Sequence, residues 1–170
     1  GVWVATVANI DWPSKRGLSA DQQKQEFIGI LDQHKQSGMN AIMLQIRPTA
    51  DALYAKSREL WSHWLMGQQG LAPAEGYDPL EFAIKEAHSR GMELHAWFNP
   101  YRATMTAAQV TSPEHITKKQ PELFYTYGGQ KSFDPGLPEV RAYIVQVILD
   151  VVKGYDIDGV RFDVYFYPYR

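Results

Sequence analysis

A chain of 170 residues with 45% hydrophobic and 21% charged side chains has room for one globular domain with a sizeable core, and its formal net charge of −2 gives no electrostatic case for a nucleic-acid partner. The absence of cysteine excludes disulfides and thiolate metal sites and leaves the redox compartment open. No apolar run approaches the ~20 residues of a membrane span, so no membrane span is expected, and no signal peptide is visible.

Val2 to Ala8 is a β-branched run that predicts a first strand, ending in Asn9-Ile10-Asp11-Trp12-Pro13. Ser19 is placed to cap a helix through Lys35, with Phe27, Ile28, Leu31 and His34 at helical spacing and Gly38 as its stop. Asn40 to Arg47 predicts a second strand. Alternation puts Ile42, Leu44 and Ile46 on one face and Met43, Gln45 and Arg47 on the other. The connection over residues 48–77 carries Asp51, Tyr54, Trp61, His63 and Trp64, and connections of that length are usually functional.

Asp78-Pro79 opens a second helix that runs to about Arg90, with Gly91 as its stop. A third strand, Met92 to Asn99, sends Leu94, Ala96 and Phe98 one way and Glu93, His95, Trp97 and Asn99 the other. A second long connection over residues 100–136 holds Tyr101, Arg102, His115, Tyr125 and Asp134. Leu137-Pro138-Glu139 starts a third helix that ends near Gly154, with Val140, Ile144, Val147, Ile148 and Val151 as its buried stripe.

Asp158-Gly159-Val160-Arg161-Phe162-Asp163-Val164 predicts a fourth strand. Val160, Phe162 and Val164 share one face, while Gly159, Arg161 and Asp163 share the other. Arg and Asp two residues apart on a strand have Cα atoms roughly 6–7 Å apart, close enough for the guanidinium to favour the ionised carboxylate. Such a pair is costly inside a sheet unless it lines a polar cavity. It is the best candidate for an active site in the chain.

Four strands alternating with three helices indicate right-handed βαβ units on a parallel sheet. No glycine-rich phosphate loop follows the first strand, which argues against nucleotide binding. Asn9, Gln45 with Arg47, His95 with Asn99, and Arg161 with Asp163 all fall late in their strands, as an active site at the mouth of a (β/α)8 TIM-type barrel requires. A full barrel takes eight strands and typically ~250 residues. Residues 1–170 are therefore expected to be the N-terminal half of a barrel domain, its first four βα units, with no second domain. The open edges of such a half-barrel would favour self-association.

Several segments carry a resemblance: Ala5 to Pro13, Gln45-Ile46-Arg47-Pro48 with Asp51-Ala52-Leu53-Tyr54, and Trp61 to Gly67. Tyr77 to Leu80, Glu93 to Arg102, Asp134 to Arg141 and Tyr155 to Tyr169 complete the set. Together they resemble the bacterial glycosyl-hydrolase-like family ten, the YngK-type envelope proteins. The resemblance implies a barrel that acts on glycans, peptidoglycan strands among them, in the cell envelope, the periplasm or outside the cell. The family commonly has His where Arg161 stands and Asp where Val164 stands, and strand parity puts Val164 on the helix-facing side.

The last strand is also similar to the fourth-strand motif of the α-amylase superfamily, Asp-Gly-x-Arg-x-Asp. That likeness implies a retaining mechanism with Asp163 as nucleophile and Arg161 as its charge partner. A second carboxyl group is required, and by the same analogy it would come from a fifth strand, so the 170 residues alone are expected to be inactive. Asp11, Asp51 and Glu93 are the alternatives in the chain, but Glu93 falls at the buried start of its strand.

Asn9, Arg47, His95, Asn99 and Arg102 are expected to hydrogen-bond sugar groups, Asp11 and Asp51 to hydrogen-bond substrate or organise loops, and Trp12, Trp64, Trp97 and Tyr165 to stack on pyranose faces or to serve in ordinary packing. No cofactor and no metal is expected, since His63 and His95 lack zinc-helix spacing and cysteine companions. The alternative is a noncatalytic glycan-binding barrel or scaffold, for which Val164 in place of the usual Asp is the cue.

Overall fold

The computed structural model describes residues 1–106 and 108–163. In chain order the elements are β1 (Val2–Val4), α1 (Ala20–Gln36), β2 (Ala41–Arg47), α2 (His63–Met66), α3 (Pro79–Ser89) and β3 (Glu93–Phe98). They continue with α4 (Ile116–Lys119), β4 (Phe124–Tyr127), β5 (Gln130–Phe133), α5 (Pro138–Gly154) and β6 (Gly159–Phe162). Strands β1, β2, β3 and β6 form one sheet in that order with every pairing parallel, and β4 pairs antiparallel with β5.

Helices α1 and α3 form where the sequence supplies both a cap and a stripe, and α5 where it supplies a stripe behind Pro138. Ser19 and Gln22 exchange hydrogen bonds in a capping box at the start of α1, and Asp78 Oδ1 accepts from the Leu80 and Glu81 amides ahead of Pro79 at the start of α3. Phe27 and Leu31 of α1, Leu80, Ala83 and Ala87 of α3, and Val147 and Val151 of α5 then pack on Ile42, Leu44, Ile46, Leu94, Ala96 and Phe98 in one core. The alternation read from sequence therefore holds along this face, and the opposite face carries Trp3, Met43, Gln45, His95, Trp97 and Arg161. Parallel strands joined through helices on one face make this part of a (β/α)8 barrel.

The structure departs from the expected elements at two places. β1 stops at Val4 because the Thr6 and Val7 amides both donate to Gln45 Oε1 at 2.9 Å, and the chain turns through Ala8 and Asn9 with φ of 55° and 53°. The connection over residues 100–136 contains the β4–β5 hairpin, joined by Gly128 and Gly129 with φ of 56° and 79°. A two-residue hairpin turn with both φ positive favours glycine, so the Gly-Gly pair was a readable signal.

At the opposite end of the sheet, Asp158 Oδ2 accepts from the Leu94 amide and lies 2.8 Å from His88 Nε2, tying α3 to β3 and β6. Glu93 is exposed there rather than buried, and its Oε2 lies 2.8 Å from His95 Nε2. The His95 ring in turn lies over Gly159, where a Cβ would meet His95 Nδ1 at 2.4 Å. Gly159→Ala should accordingly cost roughly 1–3 kcal/mol through overpacking, read as a lower urea midpoint. His95→Ala in the same background should recover part of the loss; if the double variant is no more stable, the ring is not what the methyl meets.

Candidate active site

The site grows from the C-terminal ends of the parallel strands. Gln45, Trp97 and Arg161 lie in register across β2, β3 and β6, and the Asp163 amide donates to the Phe98 carbonyl at 3.2 Å, carrying the register one step further. Asn99 and Asp163 are thereby neighbours on the inner face, at the rim. Asp163 is half-buried. Arg102, on the connection after β3, shares its field: burial drives the Arg102 pKa down to about 10, while the Asp163 and Asp51 carboxylates work against that loss. Arg102 Nε donates to the Pro48 carbonyl at 3.2 Å, which anchors it between the two connections. Arg161, the partner expected from sequence, is exposed and donates to the Val160 carbonyl at 3.5 Å.

Asn99 is fully buried, and its Oδ1 accepts from Gln45 Nε2 at 3.0 Å. Its Nδ2 has no hydrogen-bond partner among the described residues, and neither has Trp97 Nε1. Trp97 meets the edge of Trp3 with ring centroids 4.9 Å apart. Buried donors without partners are uncommon in folded proteins, and these two sit on the face that holds Asp163.

Asp51 is also fully buried. Its Oδ1 accepts from the Thr49 amide and hydroxyl at 3.3 and 3.1 Å, its Oδ2 accepts from Gln69 Nε2 at 3.3 Å, and His63 Nδ1 lies 3.6 Å away. It organises a loop and offers no oxygen to a ligand. Beside it, His115 Nε2 lies 3.1 Å from the Ala50 carbonyl and Nδ1 lies 2.8 Å from the Thr117 hydroxyl. The neutral tautomer with the proton on Nε2 satisfies both. Burial pushes the His115 pKa below its ordinary value despite the Asp51 carboxylate. A cleft of about 630 Å³ opens next to this cluster, walled by Arg16, His63, Trp64, Gln69, Met105 and Ser112 from the connections after β1, β2 and β3.

Several residues expected to bind sugar belong to the scaffold instead. Asn9 Nδ2 donates to the Pro13 and Trp64 carbonyls at 2.8 and 2.9 Å, and Asp11 Oδ2 accepts from the Ala5 amide at 2.8 Å. Trp12 is 1% exposed, packs against Phe27 and donates from Nε1 to the Gln23 carbonyl, so it presents no face to a ligand. Trp64, by contrast, lies against the Arg16 guanidinium at 4.3 Å and the His63 ring at 4.0 Å, and shares with them the wall of the cleft. His95 lies deep on the inner face, bonded towards Glu93 at the far end. Tyr165 lies outside the described residues.

Arg47 departs furthest from expectation. Between Gln45 and Arg47 the register with β3 slips, Gln45 facing Trp97 and Arg47 facing Phe98, so two steps on β2 match one on β3. This bulge turns Arg47 away from the inner face. It lies over the Phe133 ring and pairs with Glu59 through two hydrogen bonds of 2.6 Å, with both side chains 1% exposed. Its Nη1 donates to the Asn99 and Pro100 carbonyls, and the Tyr143 hydroxyl completes the cage on Glu59 at 3.1 Å. Burial opposes the charge, but the Glu59 carboxylate outweighs it and raises the Arg47 pKa. Glu59 drew no notice in the sequence. A buried arginine at a strand end requires a carboxylate, and that requirement was its one signal.

Residues 1–170 match the family described as Glycosyl hydrolase-like 10. The chain is 53% identical over 171 residues to "Glycosyl hydrolase YngK" of Bacillus subtilis (strain 168), covering 99% of this chain and 33% of that protein. The chain belongs to this glycosyl hydrolase-like family. Another relative, "Glycosyl hydrolase DigH" of Escherichia coli (strain K12), is 38% identical over 98% of this chain and 42% of its own length. The chain thus spans between a third and a half of these relatives.

The family member also shares its fold with solved structures. A hypothetical protein from Ruminiclostridium thermocellum ATCC 27405 superposes with a TM-score of 0.65 at 12% identity, covering 99% of this chain and 78% of that one. The noncanonic maltogenic α-amylase AmyB from Thermotoga neapolitana gives 0.59 at 20% identity, with 98% and 39% covered.

Two outcomes follow from this geometry. Arg47→Met or Glu59→Gln alone leaves an uncompensated buried group and should destabilise the protein by about 3–5 kcal/mol in denaturant unfolding. A loss below about 1 kcal/mol would show the pair to be dispensable. The stability contributed by neutral His115 is intact above its unfolded pKa near 6.5 and erodes as pH falls from there towards the lowered folded value. The urea midpoint should therefore drop more between pH 7 and pH 5 in the parent than in His115→Asn, and parallel curves would contradict it.

Proposed function

We propose that this chain forms the nucleophile-bearing half of a retaining glycoside hydrolase barrel that acts on bacterial cell-wall polysaccharide, with peptidoglycan glycan strands as the preferred substrate. The observation that carries the reading is the position of Asp163. It stands at the C-terminal end of β6 on the inner face, beside Asn99 and in the field of Arg102. A half-buried carboxylate at the mouth of a parallel barrel, next to a cation, is suited to attack an anomeric carbon. In that step a bond forms between Asp163 and the anomeric carbon while the glycosidic C–O bond breaks. The departing oxygen takes a proton from a carboxylic acid, and water then cleaves the glycosyl-enzyme bond.

The proton donor has no good candidate among the described carboxylates. Asp51 is buried and bonded, Asp11 braces a turn, and Glu93 sits at the opposite end of the sheet. We assign it to a later strand of the barrel. The cleft beside His63 and Trp64 extends the mouth and has the size of a ligand pocket. The same reading puts the protein in the envelope or outside the cell.

Release of reducing ends from purified glycan strands, measured with a protein carrying the complete barrel, tests the assignment. Asp163→Asn should lower turnover by about a thousandfold or more while binding persists, and Arg102→Gln should lower it by roughly tenfold to a hundredfold. Turnover that survives Asp163→Asn would remove it as nucleophile. Tight glycan binding with no turnover in the parent protein would favour a noncatalytic glycan-binding barrel.

A further inference from the structure

The way Asn99 faces is decided several bonds away. Gln45 is fully buried, and its amide has one accepting and one donating end. Its Oε1 takes the amide hydrogens of Thr6 and Val7, both at 2.9 Å. Backbone N–H groups only donate, so that end must be oxygen and the other end must be the NH2. Gln45 Nε2 donates to Asn99 Oδ1 at 3.0 Å, which fixes Asn99 in turn: its oxygen faces Gln45 and its Nδ2 faces away. Nδ2 is buried without a partner among the described residues, and the adjacent residue on β6 is Asp163. An unmade hydrogen bond of this kind costs roughly 1–3 kcal/mol, and a fold stabilised by apolar packing alone would have no use for it.

We propose that Gln45 is a positioning residue. It transmits the polarity of the Thr6 and Val7 amides through Asn99, so that an N–H rather than a carbonyl oxygen is presented to the Asp163 carboxylate. An N–H turned towards a nearby carboxylate stabilises its charge without bonding it, and an oxygen in the same place would repel it. The inference rests on the reading of Asp163 as the reacting carboxylate. It adds that the turn after β1 sets the environment of that carboxylate through Gln45.

Gln45→Glu preserves shape and still accepts from Thr6 and Val7, but its second terminus also accepts, so Asn99 must turn its NH2 inwards and leave Oδ1 towards Asp163. Side-chain amide signals in ¹⁵N–¹H spectra, with Asn99 assigned by its loss in Asn99→Asp, read this directly. In the parent, the Asn99 signal should shift with Asp163→Asn. In Gln45→Glu it should move and stop responding to that second change. With a complete barrel and purified glycan strands, Gln45→Glu and Asn99→Asp should each lower kcat by roughly tenfold to a hundredfold with KM within about twofold, and their combination should cost no more than either alone.

An Asn99 signal indifferent to Asp163→Asn, or unchanged in folded Gln45→Glu, overturns the relay. Should Gln45→Glu not fold, parental kcat in Asn99→Asp overturns it equally. If no variant and no parent cleaves glycan while the amide coupling holds, the hydrolase reading fails and the relay stands.

Discussion

The ion pair between Arg47 and Glu59 is the constraint on which the mouth of this barrel depends. Neither side chain is more than 1% exposed, and among the described residues the charges are met by each other, two carbonyls, a tyrosine hydroxyl and the Phe133 ring. Desolvation of that size is tolerable only with close to complete hydrogen bonding. The geometry that achieves it fixes three separate pieces of chain: the connection after β2 through Glu59, the end of β3 through the Asn99 and Pro100 carbonyls, and α5 through Tyr143. Asn99 is held by its backbone from one side of the sheet and by its side chain from the other.

The two faces of the parallel sheet divide the labour. Towards the helices, alternate aliphatic residues make a continuous apolar layer, and the strands there read as any buried parallel strand would. Towards the barrel axis, Met43 apart, side chains are polar or aromatic, and hydrogen bonds run across strands at the mouth and along β3 between Glu93 and His95 at the far end. Hydrogen bonds from β1 to β2 and from β2 to β3 end at the residue beside Asp163. Around them, the cluster of Asp51, Gln69, His63 and His115 gives the loops a polar core of their own, where a loop of this length would otherwise have little to hold it.

Much of this was legible in the sequence, and the illegible parts share a cause. Helices α1, α3 and α5 and the alternation of β3 and β6 follow from periodicity and caps, which are local. The parity argument for Asp163 likewise uses only local sequence. Arg47 failed because parity is conserved along a strand only while the register is regular, and a bulge is decided by the partner strand. Trp12 was not legible as core because an aromatic side chain carries the same signal in a core as in a cleft, and what covers it, Phe27, comes from distant sequence; Trp64 lies against Arg16 in the wall of the cleft. Strand spacing and the family likeness both suggested Arg161 as a cation for Asp163; Arg102, on a loop, also shares the field of Asp163, and loop conformation has no periodicity from which to read it.

The bulge before Arg47 has a consequence for how such a chain tolerates change. Because one additional residue swings a guanidinium from the axis to the helix side, removing a residue at this point would do more than shorten a strand. It would turn the cation towards the barrel axis and leave the Glu59 carboxylate buried without its partner. At positions 46 and 47 the count of residues therefore decides which side of the sheet the charge occupies.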